Sequence, residues 1–210
     1  TRERNTKYKS LDGKALKKVT FPSISAARGK LKESEGMTAW YGMNQFIYPF
    51  ISDYYPDDME YDQDLINVAN IDIEVECEKG FPQPSEAIER VNAITLKTGA
   101  LYTVLGLGDW ENINPALEHL EIKYYKCTSE MELLRSFLNL WEAADIDIVT
   151  GWNVNSFDML YLVNRIEKLL GEEQMKRLSP FRSVKKVQKN LRGMLVEQVQ
   201  LSGLVIADYL

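Results

Sequence analysis

The sequence predicts a mixed α/β sheet whose first strands pair antiparallel and whose later strands alternate with helices that cover its faces. Three observations lead there. Residues 68–77 read Val-Ala-Asn-Ile-Asp-Ile-Glu-Val-Glu-Cys, an apolar/acidic alternation with the period of two that marks a strand. Residues 91–97 and 101–107 are two further apolar runs joined by Thr98-Gly99-Ala100, the composition of a tight hairpin. Beyond Ser129 the spacing changes to that of amphipathic helices, with the short apolar run 146–150 between them.

Taken in order, residues 1–20 are polar and basic with little periodicity and begin on Thr rather than Met, which reads as a truncated start. Ser23 or Ser25 caps a short helix over about 23–34, with Gly36 beyond its end. Residues 40–55 gather Trp40, Tyr41, Phe46, Tyr48, Phe50, Tyr54 and Tyr55 around Ile47 and Ile51. Aromatics can stack on nucleic-acid bases, but a cluster of this kind reads first as strand and core. An acidic loop over 57–64 leads into the strand at 68–77, and Gly80-Phe81-Pro82 opens a loop after it. A short strand is expected over 121–127. Ser129 and Glu132 form a capping box for a helix ending near Ala144, with Met131, Leu134, Phe137, Leu138 and Trp141 as its buried stripe. The strand 146–150 delivers the chain to Gly151-Trp152-Asn153-Val154-Asn155-Ser156-Phe157-Asp158, where Ser156 caps a helix burying Leu160, Tyr161, Val163, Ile166 and Leu169. A second, shorter helix over about 172–178 stops at Ser179-Pro180.

Composition narrows the function classes. With 45% hydrophobic residues in 210, the chain can fill a core. No run of about 18 apolar residues suits a membrane span, and no charged start with an apolar stretch suggests a signal peptide. Cys77 and Cys127 lie far apart without a Cys-x-x-Cys pair, so the expectation is buried free thiols in a reducing compartment rather than disulfides or zinc. His119 is the single histidine, which excludes any mechanism needing two. The net charge of −6 conceals segments: residues 1–32 hold ten Lys/Arg against two acids, 33–164 hold six against twenty-four, and 165–192 hold nine against three. Basic flanks of this kind can hold a phosphate backbone while an acidic middle holds metal ions, although charge runs also serve simply as solvated faces.

The acidic middle centres on the strand at 68–77, where Asp72, Glu74 and Glu76 share one face, roughly 7 Å apart from one to the next. Like charges in a row repel, and a hard divalent cation with oxygen ligands makes such a row favourable. The competing reading is an edge strand with a charged outer face. In a mixed sheet, sites form beyond the carboxyl ends of strands, and Asp158, just after a strand, is placed to face that row.

These residues resemble the proofreading 3′ to 5′ exonuclease domain of family B DNA polymerases, above all those of T-even-like bacteriophages. Asp72-Ile73-Glu74 matches the first exonuclease motif, and Asn153 with Phe157-Asp158 the second. Gly80-Phe81-Pro82, Ile51-Ser52-Asp53, Thr150-Gly151-Trp152-Asn153 and Lys176-Arg177-Leu178-Ser179-Pro180 are similar to further stretches of those enzymes. The resemblance implies a ribonuclease H-like (DnaQ-like) fold over residues 67–210, truncated at its carboxyl end, after a partial amino-terminal domain over 1–66. It implies a replicative DNA polymerase as parent, removing mismatched 3′ terminal nucleotides by hydrolysis with two divalent ions, Mg²⁺ or Mn²⁺. Asp72 would bridge the ions, Glu74 hold the one that activates water, and Asp158 serve the other; Asn153 would hydrogen-bond and Phe157 stack on the terminal nucleotide. Bland readings remain beside the last two, a helix-leading turn residue and a core aromatic. Glu76 has no part in the family pattern. The family's third motif, a Tyr and an Asp four residues apart, is expected downstream of a strand at 204–210, so these residues alone are expected to be a poor exonuclease. Asp208 is not expected to replace the missing acid. Partners implied are single-stranded and primer-template DNA, a sliding clamp and other replication proteins, with no membrane, in the host cytoplasm for a phage protein. Two other classes stay open: a non-catalytic single-stranded-DNA-binding module, and a structural domain whose acidic row binds one Ca²⁺ or nothing.

The last expectation is a long β-hairpin over 184–201. Gly193 supplies the positive φ of its turn, and Lys185, Lys186, Lys189 and Arg192 crowd its first arm. In the phage enzymes that this segment resembles, such a hairpin helps part primer from template, which implies DNA contact for the four basic residues. A surface helix over 183–191 is the alternative.

Overall fold

The computed structural model describes residues 7–42, 45–58, 60–78, 80–191 and 193–209. The chain divides into two compact units, Thr1–Tyr61 and Asp62–Leu210.

In the first unit, β1 (Tyr8–Lys9) and β2 (Ala15–Leu16) pair antiparallel. Helix α1 (Ile24–Glu33) is capped by Ser23, whose hydroxyl accepts the N–H of Ala26 at 3.1 Å, one of the two caps expected. The aromatic stretch departs from its sequence reading. It forms a helix, α2 (Ile47–Tyr54), and none of its residues is buried. Ile47, Phe50, Ile51 and Tyr54 recur at helical spacing, and Pro49 falls in the first turn, where its missing N–H leaves no bond unmade. Aromatic content, which favours strands, had outweighed that period. Phe50 and Tyr54, one turn apart, stack with ring centroids 4.4 Å apart.

The second unit is built on six strands: β3 (Val68–Val75), β4 (Val91–Thr98), β5 (Leu101–Gly106), β6 (Glu121–Lys126), β7 (Ile148–Gly151) and, last in the chain, Val205–Asp208. Between them come α3 (Glu130–Ala143), α4 (Asp158–Leu170), α5 (Glu172–Met175) and a two-stranded hairpin of β8 (Val184–Leu191) and β9 (Met194–Leu201), which makes the last strand β10. The sheet order is β10-β7-β3-β4-β5-β6. β4 pairs antiparallel with both β3 and β5, whereas β3–β7, β7–β10 and β5–β6 are parallel, so β4 alone runs against the rest. The 91–107 hairpin therefore flanks β3 as expected, turning through Gly99 at φ 56°. β3 shows its alternation directly: Ala69, Ile71 and Ile73 are buried while Asp72 and Glu74 are exposed.

Both long helices lie on the core. In α3 the buried residues are Leu133, Leu134, Phe137, Leu138 and Trp141; Met131, expected in this stripe, is exposed and Leu133 takes its place. Ser129 accepts the N–H of Glu132 at 3.3 Å, but the Glu132 carboxylate turns to the N–H and hydroxyl of Thr128 rather than closing the box on Ser129. In α4, Met159 through Val163 are all buried, so its first half is wrapped by protein and not merely amphipathic. Arg165 and Glu130 form a buried pair at 2.7 Å that also binds the carbonyls of Ala87 and Ile88 and the N–H of Val91. That network fastens the segment before β4 to α3 and α4, and every polar atom in it is satisfied.

Ser156 does not cap α4. The helix begins at Asp158 after a turn in which the carbonyl of Asn153, itself at φ 53°, accepts the N–H groups of Ser156 and Phe157. Asn tolerates the left-handed region, so the turn closes through backbone and needs no side-chain cap. Cys127 is buried as expected, but Cys77 is exposed, with its thiol directed at the Gly80 carbonyl in the loop after β3. The β8–β9 hairpin has the expected form, paired from Val184↔Leu201 to Leu191↔Met194 with Gly193 at φ 87°. The helical alternative for 183–191 is thereby excluded.

Candidate functional site

β3, the turn at 151–157 and the first residue of α4 bring the candidate acids into one neighbourhood. β3 ends in a bulge between Glu74 and Val75, so Asp72 and Glu74 keep one face, while Glu76 lies past the strand and ion-pairs with Arg90 at 3.1 Å. The expected row of three is thus two; the bulge breaks the period that a flat strand would have continued. β7 runs parallel beside the first half of β3, and its last residue, Gly151, lies against the backbone of Ile71. A Cβ at Gly151 would stand 2.7 Å from the Ile71 carbonyl oxygen, which explains why only glycine lets β7 end there.

From that point the turn returns Asp158 to β3. Its Oδ1 accepts the buried N–H of Ile73 at 3.1 Å, so the carboxyl of Asp158 is anchored on the residue next to Asp72. Asp158 is only 4% exposed. Burial, together with the negative charges of Asp72 and Asp208, pushes its acid up to about 7, against the opposing pull of the Ile73 N–H. Asp208, at the end of β10, also accepts the backbone N–H of Asn155 at 3.0 Å. Sequence reasoning gave Asp208 no role; its place beside Asp158 follows from β10 pairing in parallel with β7, which no local pattern announces.

These donors fit Mg²⁺ or Mn²⁺ in kind, since all are hard carboxylate oxygens gathered where negative charge is already concentrated. Among the described residues, however, no three His, Cys, Asp or Glu side chains stand together as a group able to hold a metal ion. The full convergence expected of Asp72, Glu74 and Asp158 is therefore not preformed: the charge of Asp72 reaches Asp158, and Glu74 stays exposed on β3.

Asn153 and Phe157 flank the acids on the turn, both half-buried. The Phe157 ring contacts Tyr161 in the core, at 5.9 Å between centroids, and Phe81, at 5.2 Å. Phe81, 73% exposed, has no assigned role in the sequence reading, yet its ring meets that of Phe157; an aromatic in a Gly/Pro loop directly after the acidic strand was the available signal.

The hairpin lysines separate into two kinds. Lys186 pairs with Glu167 of α4 at 2.7 Å. Lys185 and Lys189 make no ion pair among the described residues and line a cavity of about 350 Å³ with Asn155, Gln200 and Ser202. Arg192 lies outside the described residues. His119 is exposed between β5 and β6. No helix of the described residues is long and apolar enough to cross a membrane.

The model of the DNA polymerase family B exonuclease domain matches residues 49–210. The chain belongs to the family B DNA polymerases. Its sheet, with a single antiparallel strand and helices α3 and α4 packed on the core, is that of a ribonuclease H-like exonuclease domain. Over 98% of its length it is 35% identical to the DNA-directed DNA polymerase of Enterobacteria phage T4 and 34% identical to that of Escherichia phage RB69, covering 25% of each. It is also 32% identical, over 68% of its length, to the DNA polymerase catalytic subunit of Equine herpesvirus 2. The chain thus spans about a quarter of the length of the phage relatives that it matches.

Proposed function

We propose that residues 67–210 act as the 3′ to 5′ proofreading exonuclease of a replicative DNA polymerase, removing mismatched 3′ terminal nucleotides, with residues 1–66 belonging to its amino-terminal domain. The observation that carries this reading is the Asp158 carboxyl, buried at the head of α4, bonded to the backbone beside Asp72 and driven towards neutrality by burial and two neighbouring acids. A fold that gathers acids there and buries one of them is suited to a cationic occupant. Asp72 and Asp158 would hold divalent ions, with Glu74 completing the set from the same face of β3. Two such ions, when bound, supply an activated water and neutralise the leaving 3′ oxygen.

The remaining work falls to the chain itself. Phe81 and Phe157 present ring faces on which a terminal base can stack, and Asn153 offers a side-chain amide to its sugar or base. Lys185 and Lys189, left without ion pairs among the described residues, would hold phosphates as the primer end parts from its template, while Lys186 keeps the hairpin on α4. The substrate is then single-stranded or frayed primer-template DNA, and a sliding clamp is the natural partner of the whole polymerase.

The test is digestion of a 5′-labelled single strand by the full-length natural protein. Stepwise loss of mononucleotides that requires Mg²⁺ or Mn²⁺ and vanishes in Asp72→Ala is the expected result. Salt-sensitive DNA binding with no cleavage would overturn the proposal and leave a binding module.

A further inference from the structure

Asn155 is held by two strands at once. Its backbone N–H donates to Asp208 on β10 at 3.0 Å, and its side-chain Oδ1 accepts the buried N–H of Val199 on β9 at 3.1 Å. Asn155 is 9% exposed, and Val199 only 2%, so the bond between them has no water as a substitute. The residue lies in the middle of the turn that carries Asn153, Phe157 and Asp158, and it belongs to none of the matched motifs. The neighbouring Ser156 hydroxyl is in turn approached by Gln198 of β9 at 3.5 Å. The same Asn155 lines the cavity under Lys185 and Lys189. The second arm of the hairpin therefore docks directly on the turn that delivers the second motif.

We propose that Asn155 is a positioning residue that couples the β8–β9 hairpin to the exonuclease turn, so that the place of Asn153, Phe157 and Asp158 depends on the hairpin being docked. The proposal rests on the exonuclease reading for its functional consequence, but its structural content is independent of it. Val199 has no other acceptor in the β8–β9 ladder on that side: it stands opposite Lys186, and its N–H is directed away to Asn155. Losing the Asn155 oxygen leaves the buried Val199 N–H unmade and releases the turn from β9, whereas the Asn155 N–H bond to Asp208 and the two hydrogen bonds onto the Asn153 carbonyl remain. The expected consequence is misplacement rather than unfolding, and misplacement of about 1 Å is enough to slow a reaction of this class severely.

The experiment uses the full-length natural protein. In Asn155→Ala, kcat on a single-stranded oligonucleotide should fall about tenfold, and the amides of residues 153–159 should exchange with deuterium about tenfold faster, while the protein stays folded and its melting temperature falls by only a few degrees. Asn155→Ser, which keeps an acceptor oxygen without adding a charge beside Asp208, should recover part of the lost kcat and slow the exchange again. Unchanged kcat and exchange in the Ala variant, or equal impairment in Ala and Ser, would overturn the coupling. If Asn155→Ala fails to fold, exchange in the unmutated protein decides: the amides of Val199 and Asn155 should open together at a slow common rate, and a Val199 amide that exchanges as fast as the hairpin turn rejects the proposal. If the unmutated protein degrades no DNA, the exonuclease reading fails, and the exchange measurements still judge the coupling.

Discussion

The two places that supply the acids, β3 and the turn leading into α4, contain the same chemical group in opposite settings. Asp72 and Glu74 stand on the exposed face of a regular strand, and their positions need nothing beyond side-chain alternation. Asp158 is buried, bonded to a backbone N–H of that strand, and its acid is pushed up to about 7 by burial and by Asp72 and Asp208. A carboxylate is costly in such a place without a counter-charge, so the electrostatic cost falls on the turn while the strand presents its acids to solvent. The difference shows that one neighbourhood can gather acids both by lining them up on a strand and by burying one of them against it.

The sharpest way to break this comparison is to remove each acid. Asp72→Ala and Asp158→Ala should each lower single-strand digestion by about 10³-fold, as losses of charge-holding groups at the reacting centre do. If only one of the two matters, the acids do not form one site. Their stabilities should separate where their activities do not. Asp158 has an ordinary value of 3.8 and a folded value of about 7. Below about pH 4 it is protonated both in the folded and the unfolded chain and contributes nothing. Between that point and pH 7 the unfolded chain releases the proton that the folded one keeps, so stability declines as pH rises and levels off above about 7, by on the order of 2–4 kcal/mol in total. Urea midpoints at pH 5 and pH 8 with EDTA present should show this decline in the natural protein and much less of it in Asp158→Asn. An equal decline in both places its cause elsewhere.

The paired rings offer a smaller contrast. Phe81→Ala should raise KM for single-stranded DNA about tenfold at little cost in stability, since the ring is exposed and base stacking is worth roughly 1–3 kcal/mol. Phe157→Ala should also lower the melting temperature, because its ring packs on Tyr161 and the core. The reverse pattern would exchange the roles of the two. Smallest of all are the lysines. Lys185→Glu with Lys189→Glu should reduce digestion of a primer-template several-fold and leave single-stranded DNA nearly untouched, whereas Lys186→Ala should cost only about 0.5 kcal/mol of stability through its half-exposed pair with Glu167. Equal loss on both substrates would mean general binding rather than strand separation.

Local patterns made β3, the β4–β5 hairpin, the Ser129 cap and the β8–β9 hairpin legible, because in each case the deciding forces act between residues a few positions apart. Three of the places they misjudged have an equally physical reason. The 40–55 stretch carries strand-favouring aromatics at helical spacing, and composition was allowed to outweigh period. Ser156 has the side chain of a cap, but the Asn153 carbonyl had already taken up the turn's N–H groups. Glu76 continued the alternation on paper, and a bulge with an Arg90 partner removed it from the row.

What the sequence by itself determined was the identity of the acids and their motifs, the exposed face that carries Asp72 and Glu74, and the hairpin that bears the lysines. Those properties depend on side-chain type and on a period of two, both of which are written along the chain. Only the tertiary structure decided that Asp158 is buried against Ile73, that Asp208 comes up beside it on β10, that Phe81 meets Phe157, and that Asn155 joins β9 to the turn. Each of those depends on segments between 44 and 85 residues apart being brought together by sheet order, and desolvation and charge proximity have no magnitude until that packing exists.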